Sequence, residues 1–135
     1  MPTSIFVNLP VANLDEAKAF FSALGFSFDA QFTNEAGAAL VIDETIYFML
    51  LTREKFAEFI TLPMADARQG TQALYAISRE NRAAVDEIVD KALAAGATEP
   101  RPAQDHGFMY ARAFADLDGH IWEFFWMDVS LIPAS

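Results

Sequence analysis

The stretch FADLDGHIWEFFWMD occupies residues Phe114–Asp128 and decides the fold prediction. Asp118-Gly119 is typical of a tight hairpin turn, and the residues after it alternate as in a half-buried strand. One face of that strand carries Ile121, Glu123 and Phe125, and the other carries Trp122, Phe124 and Trp126. A carboxylate on so apolar a strand is costly to bury unless it is paired, protonated or bound to a cation. Glu123 is therefore either a hydrogen-bonded structural acid or a cation ligand.

Working outward from this stretch, the same order of elements occurs twice. The first half predicts strands at residues 4–9, 26–32, 36–43 and 45–52. The second half predicts strands at residues 72–78, 98–101, 109–116 and 120–127. In each half a helix follows the first strand, and glycine ends it, at Gly25 and at Gly96. The repeat predicts an α+β fold of two tandem βαβββ modules, which form a curved mixed sheet with helices on the outside.

The chain is expected to be one domain over residues 1–135. Module one covers about 4–52 and module two about 71–128, with residues 53–70 between them. Phe56, Phe59 and Ile60 have helical spacing there, so a short amphipathic helix is predicted. That segment is either a linker that caps the core or a lid over a binding site.

Composition excludes several functional classes. The chain has 19 acidic and 9 basic residues, so no basic face for nucleic acid can be assembled. It contains no cysteine, no apolar run long enough to cross a membrane and no secretory signal pattern. It also lacks the glycine-rich phosphate loops and the nucleophile elbow. We therefore expect a cytoplasmic protein whose partner is a small molecule, with no nucleic-acid or membrane partner.

The stretch at residues 114–128 resembles the D-P-D-G-H-x-x-E signature of the glyoxalase/bleomycin-resistance/extradiol-dioxygenase superfamily, also called vicinal oxygen chelate proteins. Leu117 stands where proline is usual. The opening FVNLPVANLDEAKAFFSALGF is similar to the first module of that superfamily, and the resemblance extends from Ile5 to Met127. It is closest to a bacterial branch labelled glyoxalase, lyase or ring-cleaving dioxygenase. Such a resemblance implies a paired-module fold and a homodimer.

In that superfamily four positions, two in each module, usually hold one divalent metal that polarises oxygens of the substrate. The resemblance places these positions at Phe6, Phe48, Gln72 and Glu123, because the hairpins of residues 43–48 and 118–123 align without a gap. Glu123 would then be the catalytic carboxylate and a metal ligand, and Gln72 a weak oxygen ligand. Asn8, two residues from Phe6 on the same face, is a candidate substitute for a missing donor. One carboxylate and two amides suit zinc, nickel or iron poorly, so a chain without a cofactor is favoured over one with a divalent metal.

The residues expected to contact a ligand are Phe6, Asn8, Phe48, His106, Tyr110, Arg112 and Phe125. Phe6, Phe48 and Phe125 are predicted to share a concave face. His106, beside Asp105, is either a ligand contact or a surface residue, and Arg112 either holds an anionic group or pairs with an acid. Two functions follow from the resemblance. One is a lyase, isomerase or dioxygenase-like enzyme, and the other is a metal-free binding protein of the bleomycin-resistance type.

Overall fold

The structure, a computed structural model, describes residues 2–132. The strands are β1 Ile5–Val11, β2 Ser27–Asp29, β3 Gly37–Asp43, β4 Ile46–Thr52, β5 Leu74–Ser78, β6 Gln104–Asp105, β7 Met109–Ala115 and β8 Ile121–Met127. The helices are α1 Leu14–Ala23, α2 Arg53–Ala57 and α3 Arg82–Ala94. Short 3-10 turns lie at Ala30–Phe32 and Val129–Leu131. Within residues 2–132, no helix is long and apolar enough to span a membrane.

The strands form two mixed sheets of four, with the orders β1-β4-β3-β2 and β5-β8-β7-β6. In each sheet the first strand of the module runs parallel to the last, and the remaining neighbours are antiparallel. The chain divides into two compact units, with the boundary between Ala65 and Asp66, so that each unit contains one sheet. The predicted α+β fold of two tandem βαβββ modules is confirmed.

In the first unit, α1 begins where the sequence predicts. The Asn13 side chain accepts a hydrogen bond from the Glu16 amide at 3.0 Å, and Gly25 ends the helix with a φ of 101°. The helix buries Leu14, Ala17, Phe20 and Phe21. One face of the sheet is fully covered and carries Leu9, Leu40, Phe48 and Leu50. We assign this covered face to the contact with α1.

In the second unit, α3 packs on β7 and β8 through Val85, Ile88, Val89 and Ala92. Asn81 caps this helix by accepting from the Ala84 amide at 2.7 Å. Three aromatic side chains are fully buried in this unit, namely Phe114, Trp122 and Phe124. Because each module buries one face of its sheet against its own helix, the opposite face is the one left for a ligand.

Three predicted elements differ from the structure. The strand expected at residues 26–32 is shorter, because β2 ends at Asp29 and a 3-10 turn follows it. The strand expected at residues 98–101 is reduced to one bridge between Thr98 and Ala115, because Pro100 and Pro102 have no N–H to donate to a ladder. The amphipathic helix predicted around Phe59 ends at Ala57, and the Phe59 side chain is 67% exposed. That helix therefore does not bury the apolar residues that predicted it.

Candidate functional site

Glu123 lies on the face of its sheet that α3 leaves open. Tyr110 and Arg112 of β7 hydrogen-bond to Asp86 of α3 at 2.6 Å and 3.0 Å, so their face of the sheet is the helix-packed one. Glu123 is paired with Ala113, one residue along from Arg112, and therefore projects from the opposite face. Ile121 and Phe125 share this open face, as the sequence predicts.

An arginine that the sequence did not point to holds the Glu123 carboxylate. Nη2 of Arg101 donates to Oε2 of Glu123 at 2.8 Å, and the side chains are 29% and 19% exposed. Nη1 of Arg101 is buried, with no hydrogen-bond acceptor among residues 2–132. The Glu123 carboxylate on this apolar strand is therefore accommodated by an ion pair with Arg101.

The two amide side chains predicted to complete a metal site with Glu123 are both at the surface. Gln72 is exposed and precedes β5, and the β5 residue paired with Glu123 is Ala76. In the first unit Phe6 is on the open face. Asn8 is exposed, and its Nδ2 donates to the backbone oxygen of Phe6 at 3.2 Å.

Phe48 is not on the face predicted for it. It is paired with Val7 and buried against the helix side, whereas Phe6 is paired with Tyr47. The first hairpin joins Asp43 to Ile46 with a register irregularity after Val41, and the second joins Ala115 to Ile121 through a longer loop. The gapless alignment ignores this difference and is wrong by one residue, which reverses the face of every side chain. The neighbours of Phe48 in β4, Tyr47 and Met49, lie on the open face instead.

The donor set does not fit a divalent metal. Zinc, nickel and iron sites are built from several imidazole and carboxylate donors. Across residues 2–132, no three His, Asp or Glu side chains are grouped so as to hold a metal ion. The one carboxylate at a predicted ligand position, Glu123, already has the Arg101 guanidinium as its counter-ion.

Arg112 pairs with acids on the helix side of its sheet. Its guanidinium reaches Asp86 at 3.0 Å, Asp90 at 2.9 Å and Glu99 at 3.0 Å, and its side chain is 12% exposed. These hydrogen bonds, that to Glu99 first, raise the pKa of Arg112 above its ordinary value. Arg112 therefore ties α3 to β7, and this favours ion pairing over a contact with a ligand anion.

Asp105 anchors the loop that carries His106. Both terminal nitrogens of Arg82 donate to the Asp105 carboxylate, at 2.7 Å and 2.9 Å, and the Gly107 amide donates at 3.0 Å. The hydrogen bond from Arg82 is the main reason why the pKa of Asp105 falls to about 2. His106 is exposed, and its ring centroid is 6.4 Å from that of Phe108.

The first aspartate of the signature builds the hairpin turn. Oδ1 of Asp116 accepts from the amides of Asp118 and His120 at 2.9 Å and 3.0 Å, and Oδ2 accepts from Nε1 of Trp122 at 2.9 Å. Burial raises the pKa of Asp116. Gly119 has a φ of 91°, and a Cβ there would lie 2.9 Å from Cγ of Arg68. The aspartate and the glycine of the signature therefore have structural roles.

A group of rings on the open face of the first sheet was only partly predicted. Phe6 stacks on Tyr47 with centroids 4.6 Å apart and an interplanar angle of 7°, and the Phe32 ring meets Phe6 edge-on at 6.5 Å. We call Phe6, Phe32 and Tyr47 the aromatic cluster. Tyr47 was missed through the register error. Phe32 was missed because the turn after β2 replaces the longer strand that the alternation indicated.

The family model described as Glyoxalase/Bleomycin resistance protein/Dioxygenase superfamily matches residues 5–124. The chain belongs to this superfamily. No curated protein sequence matches this superfamily member significantly.

Solved structures resemble this superfamily member over most of its length. A glyoxalase-related enzyme from Fulvimarina pelagi has a TM-score of 0.78 at 19% identity, covering 93% of this chain and 88% of its own. A hypothetical protein from S. aureus has a TM-score of 0.74 at 23% identity, covering 93% and 95%. A genomically encoded fosfomycin resistance protein from Listeria monocytogenes has a TM-score of 0.69 at 16% identity, covering 96% and 97%. At these identities the likeness concerns the fold.

Proposed function

We propose that this superfamily member binds a small molecule on the open face of its sheets without a divalent metal, as a bleomycin-resistance type protein does. The observation that supports the proposal is the ion pair between Arg101 and Glu123. It sits at the intact metal-ligand position that the family resemblance implies. Relatives whose names indicate glyoxalase or fosfomycin-resistance functions are compatible with a small-molecule ligand.

A metal at Glu123 would compete with the arginine for the same carboxylate. An arriving cation competes with a guanidinium that already neutralises Glu123 at 2.8 Å, and displacement would leave a largely covered positive charge without its partner. The neighbouring positions Ala76 and Ala113 offer no side-chain donor to compensate. Metal binding through Glu123 is therefore disfavoured on both counts.

We also expect a homodimer. Several large apolar side chains are exposed, among them Ile5, Ile46, Leu74 and Leu131. Ile5 and Ile46 are paired neighbours on β1 and β4, and adjacent exposed apolar side chains of this kind occur at protein interfaces.

Metal analysis tests the proposal directly. The untagged protein is purified, its transition-metal content is measured, and zinc, nickel and iron(II) are titrated into it. We expect no stoichiometric metal and no tight binding. Tight, stoichiometric binding that disappears in Glu123→Gln would overturn the proposal and favour the metal-dependent enzyme.

The stability of metal-free Glu123→Gln separates the two roles of this side chain. If Glu123 serves as the counter-ion of Arg101, the substitution should lower the free energy of unfolding by about 1–2 kcal/mol, because it leaves a half-buried guanidinium without its charged partner. Urea denaturation measures this change. Glu87→Gln is the matched control, because Glu87 pairs with Lys91 on the exposed side of α3 and should leave stability nearly unchanged. Unchanged stability of Glu123→Gln would argue against the ion-pair role.

A further inference from the structure

The aromatic cluster exposes rings that a folded protein normally buries. Phe6 is 43% exposed and Phe32 is 51% exposed, although both touch another ring. Phe48, one position along β4 from Tyr47, is buried on the opposite face. The open face of the first sheet therefore presents a preassembled aromatic surface, on which a flat ring can stack with a gain of about 0.5–1.5 kcal/mol beyond its buried area.

The charged residues that flank the cluster along the chain are acidic. Asp29 caps the turn that carries Phe32, and its carboxylate accepts from the Gln31 amide at 2.9 Å. Asp43 and Glu44 form the turn into β4, and the Tyr47 hydroxyl donates to the Glu44 backbone oxygen at 3.0 Å. Three carboxylates thus flank the cluster in the chain.

The basic residues of the first unit lie elsewhere. They are Lys18, Arg53 and Lys55. Lys18 belongs to α1, which we assign to the opposite face of the sheet, and the other two belong to α2 beyond the far end of β4. Six residues separate Tyr47 from Arg53, which corresponds to roughly 20 Å along an extended strand. This surface consequently favours a positive ligand and disfavours an anion.

Asn8 adds a hydrogen-bond acceptor to the same face. It lies two residues along β1 from Phe6, and its Nδ2 is engaged by the Phe6 backbone oxygen. That contact leaves the amide oxygen of Asn8 as the group that can accept from a ligand N–H.

We propose that the aromatic cluster, with Asn8 beside it, binds a flat aromatic cation. The ring stacks against Phe6 and the positive charge lies toward the carboxylates, so the ring faces contribute cation–π attraction as well as contact area. This inference rests on the proposed small-molecule function and specifies its ligand class.

Three probes with the same ring system test the ligand class. They are N-methylquinolinium, neutral quinoline and the anion quinoline-2-carboxylate. Each is titrated into isotope-labelled full-length protein near neutral pH, and binding is followed by NMR shifts of the backbone amides of β1 and β4. We expect the cation to bind about fivefold or more tightly than quinoline, and the anion to bind most weakly.

Substitutions locate the binding surface. Phe6→Leu and Tyr47→Leu keep an apolar side chain in the strand but remove the ring, and each should weaken N-methylquinolinium binding about fivefold. Phe59→Leu is the control, because Phe59 is an exposed ring outside the cluster and should leave affinity unchanged. Amide spectra of the free variants verify that the fold is intact.

The possible failures are distinguishable. Equal affinity for all three probes, preference for the anion or no binding of any probe would overturn the cationic ligand class, and the metal test of the proposed function would be unaffected. If protein dimerisation competed with the cation and Phe6→Leu abolished the dimer, a second copy of the chain would be the occupant and the inference would be wrong. Tight metal binding through Glu123 would instead overturn the proposed function.

Discussion

Three arginines of the second unit hold carboxylates in different settings. Arg82 grips Asp105 at the surface, Arg101 pairs with Glu123 under partial cover, and Arg112 is the most enclosed of the three. Surface ion pairs stabilise a fold by about 0–1 kcal/mol. Removing one partner of a covered pair costs more, because the other charge is then left covered and uncompensated. The pairs around Arg101 and Arg112 therefore matter most for stability.

The Asp105 anchor should loosen in acid. Its folded pKa of about 2 lies below the ordinary value, so the stabilisation is complete above roughly pH 4 and is lost as the pH falls towards 2. The Arg82 guanidinium lies 5.2 Å from the Trp126 ring, so NMR signals of the Trp126 indole and of the Gly107 amide should follow the same titration. Asp105→Asn should abolish this transition. A midpoint near 4 in the wild type would contradict the prediction.

Local sequence signals identified Glu123 and Asp116 as important residues but did not identify their hydrogen-bond partners. Glu123 stood out because a lone acid on an apolar strand demands a partner, yet its partner Arg101 is 22 positions away and no short-range pattern connects the two. Asp116 was part of a recognised motif, but its three hydrogen bonds depend on how the turn closes. Such contacts arise only once the topology brings distant segments together.

Among the elements, the start of α1 and the order of elements along the chain were predictable and strand register was not. Asn13 and Gly25 carry local chemistry that fixes the ends of α1. The face of Phe48 depends instead on loop length in the first hairpin, which alternation alone does not determine. Pro100 and Pro102 explain in retrospect why the strand predicted at residues 98–101 is only a bridge at Thr98, since their missing N–H groups were visible in the sequence.

The second hairpin should tolerate no side chain at its glycine. Gly119→Ala combines an unfavourable φ of 91° with a crowded Cβ. That Cβ would lie 3.0 Å from the backbone nitrogen of Arg68 and 3.1 Å from the carbonyl carbon of Ala67. We expect a loss in the free energy of unfolding of about 2 kcal/mol or more, measured by urea denaturation. Gly25→Ala provides the comparison, because Gly25 has a similar φ with nothing within 4 Å, and should lose about 1 kcal/mol. Equal losses in the two variants would mean that the segment at Arg68 moves away from the new Cβ without a loss of stability.

For the whole molecule, the dominant property is a formal charge of −10. A field of that sign concentrates cations and repels anions around the protein, independently of any one ring. Long-range attraction and ring stacking should therefore respond differently to salt, because the Debye length falls from about 30 Å at 0.01 M to about 8 Å at 0.15 M.

Affinity for N-methylquinolinium should accordingly fall as salt is raised over that range, while affinity for quinoline should stay constant. The same salt dependence should remain in Phe6→Leu, because that substitution removes a ring and no charge. Titrations of both proteins at the two salt concentrations measure this. Salt-independent binding of the cation would show that the molecular charge does not assist it.

Closure of the hairpin around Asp116 and the surroundings of Glu123 depend on different residues, although one signature contains both. Its aspartate and glycine are needed for the hairpin to close, whereas the glutamate of the same run is held by an arginine from outside the signature. The residues that close the hairpin are thus not the residues that fix the charge state around Glu123. In this chain the signature accounts for the closed turn, whereas the surroundings of Glu123 depend on Arg101.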